Sequence, residues 1–256
     1  METQTVKVNG IEISYNTSGS GLPLLYIHGN TGSKLWFEKV MNIEGLRTIA
    51  PDMPNFGDSA RLSTADIDEY ADYIRNFILA LKLSTPLPVV GHSLGGAVAI
   101  SLALRNPEIA SRLILVDSAP LDGLKTPEEH YPIIEQYKTD RNLLHQALQA
   151  VAPTMDDTGF LEKLVEQAMK MNPLAFAGNA RALERFNYQG QGTQFDKPVL
   201  VIVGDKDVII SREMAQATAD AFPKGELKVL EGIGHSVMVE DPNAFISLIK
   251  ENIRKS

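Results

Sequence analysis

Pro88-Val89-Val90-Gly91-His92-Ser93-Leu94-Gly95-Gly96-Ala97 decides the reading of this 256-residue chain. Val89-Val90 closes an apolar run, Ser93 sits in the turn, and two glycines open an apolar helix expected from Leu94 to Arg105. Gly91-His92-Ser93-Leu94-Gly95 fits G-x-S-x-G, the pattern of a strand–turn–helix bend that presents a serine at the end of a sheet. The glycines meet a steric need. The bend uses backbone angles that a Cβ resists, and the helix passes close to a neighbouring strand. A hydroxyl held there lies beside the first free N–H groups of the helix, where an attacking oxygen and an oxyanion site are both wanted. A five-residue match alone arises by chance. The buried strand before it and the helix after it, apolar almost all round, supply the context that the motif requires.

Composition sets the bounds. Hydrophobic residues make up 44% of the chain, enough for a sizeable core in one large α/β domain with an inserted piece. The formal net charge is −8, with no basic run longer than a pair, so neither nucleic acid nor an anionic membrane is an expected partner. There is no cysteine, which excludes disulfides and thiolate metal sites. The N-terminal residues Met1 to Val6 lack a charged-then-apolar leader, and no apolar run approaches spanning length, so a cytoplasmic protein is expected. Asn16-Thr17-Ser18 matches a glycosylation sequon that has no meaning without secretion.

Outward from the serine turn, strands and helices alternate. Thr5 to Val8 and Ile11 to Tyr15 alternate apolar and polar residues around Asn9-Gly10, and are expected to be two antiparallel edge strands. Leu24-Leu25-Tyr26-Ile27 reads as a buried strand, as do Arg47 to Ala50, Arg112 to Val116 and Val199 to Val203. Leu227 to Leu230 is the last strand. A helix is expected from Ser63 or Thr64 to about Lys82, another from Ser211 to Phe222, and a final one from Pro242. The repeated alternation implies a mostly parallel, eight-stranded sheet with helices on both faces. Residues 121–195 break the pattern: they hold no convincing strand and read as short helices near 143–151, 160–171 and 174–186. This stretch is taken as a helical cap inserted into a core of residues 1–120 and 196–256, with Met155, Leu164, Met169, Leu174 and Phe176 packing on or lining the pocket mouth.

Sites on such sheets gather at the C-terminal strand ends. A serine hydroxyl needs a base at hydrogen-bond distance, and the base needs a group that fixes its tautomer. Ser93, Asp207 and His235 follow one another in the order expected on this kind of sheet, each just past a strand. Asp117, which ends the strand beside the serine's, is the rival acid, and Asp205 is assigned to the turn. His28-Gly29-Asn30-Thr31-Gly32 follows a central strand and can aim a backbone N–H at the same space; Asn30 is the candidate donor and Thr31 its rival. His28 is expected to bond the loop, and Asp52 and Asp58 to bond backbone or cap an element. No metal pattern stands up: there is no H-E-x-x-H, and Asp205-x-Asp207 is followed by Val208-Ile209-Ile210.

His28-Gly29, Gly91 to Gly96, Gly204-Asp205-Lys206-Asp207 and Gly234-His235, in that order, resemble the α/β-hydrolase superfamily. The likeness covers essentially the whole chain and is greatest to small bacterial carboxylesterases, enol-lactonases and cofactor-free haloperoxidases. It implies Ser93 as nucleophile, His235 as base, Asp207 as orienting acid, the N–H groups of Leu94 and Asn30 as oxyanion hole, and no cofactor. Haloalkane dehalogenases and epoxide hydrolases are similar too but carry aspartate where this chain has Ser93. The expected activity is hydrolysis of a small or medium carboxylic ester. A lactonase, a carbon–carbon bond hydrolase, a perhydrolase or a slow-turnover ligand receptor on the same residues stays open, because fold and triad do not fix substrate.

Overall fold

The chain, seen in a computed structural model that describes residues 1–254, builds one sheet from eight strands. These are β1 (Glu2–Val8), β2 (Ile11–Gly19), β3 (Leu22–Ile27), β4 (Leu46–Pro51), β5 (Leu87–His92), β6 (Ala110–Val116), β7 (Val199–Gly204) and β8 (Gly225–Leu230). Their order is β1-β2-β4-β3-β5-β6-β7-β8. β2 is antiparallel to β1 and to β4, and the pairings from β4 through β8 are parallel. β1 and β2 are therefore not both edge strands, as their alternation suggests. β2 runs on to Gly19, and its second half pairs with β4 from Tyr15↔Pro51 to Gly19↔Arg47. Its buried polar residues are bonded in place: Ser59 Oγ accepts from the Ser14 N–H at 2.9 Å, and Thr17 Oγ1 donates to the Thr48 carbonyl at 3.1 Å. The Asn9-Gly10 turn has positive φ at both residues, as a tight hairpin of that hand requires.

Side chains alternate between two cores. Leu25, Ile27, Val89, Leu113, Leu115 and Val201 face one. Leu24, Tyr26, Val90, Ile114, Val116 and Ile202 face the other. Helices α1 (Ile67–Ala80) and α2 (Leu94–Arg105) cover the first, joined by α7 (Arg212–Asp220). A 3-10 helix (Lys34–Val40), α8 (Val237–Glu240) and α9 (Pro242–Arg254) cover the second. α2 is buried from Leu94 to Ala103, which explains its lack of a polar face. α1 starts later than its sequence signals suggest. Asp66 is the N-cap and accepts from the N–H groups of Asp68 and Glu69, while the Thr64 carbonyl is taken by Asn55 Nδ2 at 2.7 Å.

Residues 121–195 lie between β6 and β7 and contain α3 (Tyr131–Gln136), α4 (Arg141–Val151), α5 (Thr158–Ala168) and α6 (Ala175–Arg185), with no strand among the described residues. α4 and α5 begin two residues before the expected 143 and 160 because Asp140 and Asp157 cap them, accepting from Leu143 and Phe160 N–H.

One charged cluster sits beneath the loops that carry the site. Asp52 is fully buried and accepts from the Lys34 N–H (2.7 Å), Lys34 Nζ (2.5 Å) and the Asp58 N–H (2.9 Å). Asp58 also bonds Lys34 and, through its other oxygen, Lys170 at the end of α5 (2.7 Å). Burial would lower the Lys34 pKa, but the two carboxylates outweigh it and raise it. Asp52→Ala leaves the buried Lys34 ammonium with the half-exposed Asp58 as its one remaining carboxylate, and two N–H groups without their acceptor. It should destabilise the protein by about 3–5 kcal/mol, read from the urea-unfolding midpoint at constant m-value.

Candidate active site

Ser93 stands between β5 and α2 with φ 54° and ψ −119°, a conformation that costs a non-glycine residue on the order of 1–3 kcal/mol. The surroundings hold it there. Its N–H donates to the Val116 carbonyl at 2.9 Å, and its carbonyl accepts from Gly96 (2.9 Å) and Ala119 (3.3 Å). A Cβ on Gly91 would lie 2.7 Å from the Gly96 Cα, and one on Gly95 would strike the carbonyls of Ile27 and His28. Both glycines are thus demanded by close packing of backbone on backbone. Leu94 and Gly95 open α2, where the first N–H groups have no intrahelical acceptor.

His235 follows β8 in a loop clamped from several sides. Its N–H donates to the Val151 carbonyl (3.1 Å), and the Glu240 carboxylate accepts from Gly234 and Ser236 N–H at 3.0 Å. Its Nδ1 meets Asp207 Oδ2 at 2.7 Å, with the imidazole 4% and the carboxyl 0% exposed. A carboxylate only accepts, so Nδ1 carries the proton and Nε2 is left to the cavity. Burial pushes the Asp207 pKa up, but the bond and charge of His235, with the N–H groups of Ile209 (2.7 Å) and Ile210 (3.1 Å), hold it below the ordinary carboxylate value. Neither Ser93 Oγ nor His235 Nε2 is bonded to another described residue.

Asp117, the rival acid, does not bond His235. Its Oδ1 accepts from the Gly204 N–H at 3.1 Å and its Oδ2 is buried without a partner. Oxygens of Asp117 and Asp207 and a nitrogen of His235 lie within 4.8 Å of one another. Burial, and then the neighbouring Asp207 carboxylate, push the Asp117 carboxyl well above its ordinary value. The two shifts run in opposite directions and favour the negative charge on Asp207, the carboxylate that His235 bonds. Asp205 accepts from the Gly232 N–H at 2.7 Å and ties the two loops together.

The loop after β3 is held from within. His28 Nε2 accepts from the Met53 N–H (3.0 Å), so its Nδ1 donates to the Gly29 carbonyl (2.9 Å). Asn30 Oδ1 accepts from the N–H of Thr31 (3.0 Å), which has φ 53°. Asn30, Thr31, Ser93 and His235 all line one cavity of about 200 Å³. Trp36 and His92 complete its polar wall, and Ile134, Tyr137, Leu144, Ala147, Leu148, Val151, Phe176 and Ile209 its apolar one. No Asp, Glu, Lys or Arg is among the lining residues.

The pattern described as the alpha/beta hydrolase family matches residues 24–248. The chain belongs to this family. It is 28% identical to Lipase 3 of Moraxella sp. (strain TA144) over 88% of this chain and 75% of that one. It is 26% identical to the 2-hydroxy-6-oxo-6-(2'-aminophenyl)hexa-2,4-dienoic acid hydrolase of Metapseudomonas resinovorans, over 94% of this chain and 87% of that one. The fold of an esterase from Exiguobacterium antarcticum superposes with a TM-score of 0.89 over 99% of this chain and 100% of that one, at 21% identity. No helix among the described residues of this hydrolase is long and apolar enough to cross a membrane.

Two features of the hydrolase escape a reading of the sequence. Of the five residues expected at the pocket mouth, Phe176 alone lines the cavity. Met155 and Leu164 are buried in the core beside the sheet, Met169 packs half-buried against that core, and Leu174 is exposed. The walls come instead from α3 and α4, whose apolar periodicity shows that a face is buried but not what it faces. The second is His92, adjacent to Ser93. Its Nε2 donates to the His235 carbonyl at 2.8 Å and its ring lies 5.1 Å from that of His235.

Two imidazoles are thus held neutral by the fold. Burial lowers the pKa of His28 to about 4 and that of His92 to about 3, from 6.5. Both folded values lie below the unfolded one, so unfolding takes up protons between them. Their contribution is present above pH 6.5 and is lost as pH falls toward 4 for His28 and toward 3 for His92. Near pH 5 the two groups should give a stability slope of about 2.5 kcal/mol per pH unit, measurable by urea unfolding across pH 4.5–6.5.

Proposed function

We propose that this chain is a serine hydrolase acting on small, uncharged carboxylic esters through an acyl-enzyme, with residues 121–195 as a cap over its site. The observation that carries the reading is the 2.7 Å bond from His235 Nδ1 to Asp207 Oδ2, with His235 lining the same cavity as a serine held at φ 54°. Ser93 Oγ attacks the ester carbonyl carbon while His235 Nε2 takes its proton. The charge that develops on the carbonyl oxygen is met by the N–H groups of Leu94 and Asn30. Loss of one such donor costs on the order of 2.7–4 kcal/mol. The tetrahedral species then breaks its bond to the alcohol oxygen, which leaves with the proton from His235. Water, deprotonated by the same imidazole, attacks the acyl carbon and releases the acid and Ser93.

Two observations bear on substrate. The cavity has room for a compact group, and its walls carry no charged side chain. A substrate carboxylate inside it would be desolvated without a cation to pair with. That separates this chain from hydrolases of dienoic acids, although one is a relative, and favours a neutral apolar ester. The same walls would accept a small neutral lactone, which opens through the same steps.

Steady-state turnover of phenyl butyrate tests the assignment. Ser93→Ala should lose activity by at least about a thousandfold. Asp207→Asn should lose about 10⁴-fold, because the wrong tautomer is then favoured, whereas Asp117→Asn should keep most of it. An alanine variant that still turns over near the wild-type rate would refute the role of Ser93. Monophenyl succinate, the anionic counterpart, should fall below phenyl butyrate in kcat/KM by about a hundredfold or more; equal rates would sink the claim of a neutral pocket.

A further inference from the structure

A one-way chain of hydrogen bonds runs through the interior from the inserted segment to the loop after β3. Asn172, between α5 and α6, donates from Nδ2 to Asn55 Oδ1 at 2.9 Å. Asn55 Nδ2 donates to the Tyr70 hydroxyl at 3.0 Å. Tyr70 donates to Asn179 Oδ1 at 2.8 Å, and Asn179 Nδ2 donates to Asn30 Oδ1 at 2.8 Å. Backbone groups set the direction. Asn55 Oδ1 accepts from the Leu62 N–H (2.7 Å), its Nδ2 donates to the Thr64 carbonyl (2.7 Å), and Asn30 Oδ1 accepts from the Thr31 N–H. An amide turned over would bring donor against donor. Burial raises the Tyr70 pKa far above the usual phenol, so its proton stays in place.

Asn55, Tyr70 and Asn179 are at most 1% exposed, so water does not compete for these bonds, and each polarises the next. Such a chain is a costly way to fill a core when leucine and phenylalanine pack the same volume without polar atoms to satisfy. Its far end is informative. Asn179 lies on α6, in the inserted segment, and Asn30 is in the core loop that lines the cavity with Ser93. Asn30 Oδ1 is shared between Asn179 and the Thr31 N–H, so the bond from α6 bears directly on the left-handed turn at Thr31.

We propose that Asn179 is a positioning residue: from α6 it fixes Asn30, and so the backbone N–H that receives the oxyanion, only when the inserted segment is seated. Tyr70 and Asn172 support it by orienting its amide. The segment then does more than cover the cavity, because a shift of α6 releases the oxyanion loop and slows the serine. This rests on the reading of Asn30 given above.

The test compares wild type, Asn179→Leu, Tyr70→Phe and Lys170→Ala on phenyl butyrate, with inhibition by butylboronic acid as a second readout. The boronate forms a tetrahedral adduct with the serine, so its affinity follows the oxyanion donors and not ground-state binding. Asn179→Leu should lower kcat by about ten- to a hundredfold and weaken the boronate by a similar factor, with KM within about twofold. Tyr70→Phe should lower both several-fold. Lys170→Ala cuts a different tie between the segment and the core, at Asp58, and should change neither. Folded Asn179→Leu and Tyr70→Phe variants that keep kcat and boronate affinity within about twofold of wild type would overturn the proposal. If Asn179→Leu does not fold, Tyr70→Phe decides by the same two readouts. A wild type that the boronate does not inhibit, or that Ser93→Ala matches, overturns the reading of the site itself and this role with it.

Discussion

Everything near the site depends on one strained residue that its neighbours hold in place. Ser93 keeps a positive φ because β5 enters the turn paired to β3 and β6, and because α2 leaves it pressed against β3. The strain is on the order of a few kcal/mol, comparable with a sizeable share of a domain's net stability. It persists because relaxing it would require moving a fully buried helix and two central strands. That same closeness makes Gly91 and Gly95 obligatory and brings the loop after β3 into the serine's vicinity. Geometry at the turn and packing of the sheet are therefore a single constraint.

The charges around it follow a second rule: in an interior this dry, a group is either paired or neutral. Lys34 is charged because Asp52 and Asp58 surround it. His28 and His92 are neutral because burial disfavours the charged ring more than nearby carboxylates favour it, and each then has one donor and one acceptor nitrogen, fixed by bonds to the backbone. Asp117 and Asp207 divide the roles between them. The one with an imidazole and two N–H groups is held as the anion, and the one with a single N–H is pushed toward the acid. The bond to Asp207 thus sets which ring nitrogen of His235 donates, and leaves Nε2 to the cavity.

Much of this was legible in the sequence, for reasons that can be named. Runs such as Leu24–Ile27 and Leu113–Val116 are apolar on both faces because both faces of a central strand are covered, so sheet and helix order could be read off directly. Ser93, Asp207 and His235 were legible because each follows a strand, and strand ends are what a parallel sheet brings together. Other features were not. The edge position of β2 was misjudged because alternation shows a wet face, not a free edge. The start of α1 moved because several capping residues competed for it. The cavity walls were hidden because Met155 and Leu164 on one helix face look no different from Leu144 and Leu148 on another. Tyr70 reads as one more core residue of its helix, and Asn179 gives no local signal, since the bonds of a buried polar group are set by partners far away in the chain.

The inserted segment shows why that last class of residue matters. Apolar packing of α4 and α5 beside the sheet would be enough to hold the segment in place, since burial is non-directional and tolerates small shifts. Packing of that kind cannot report where the segment sits. A hydrogen bond can, because it weakens steeply with distance and angle. The bonds from α6 to Asn30 and from Val151 to His235 are of the second kind, and they reach the two loops where protons and charge would move. The segment is joined to the rest of the molecule by apolar packing and by directional bonds at several points, two of which reach loops that line the cavity. A segment attached in this way can vary in the side chains that face the cavity, and so in the group it admits, while the directional ties keep the loops beneath it in one arrangement.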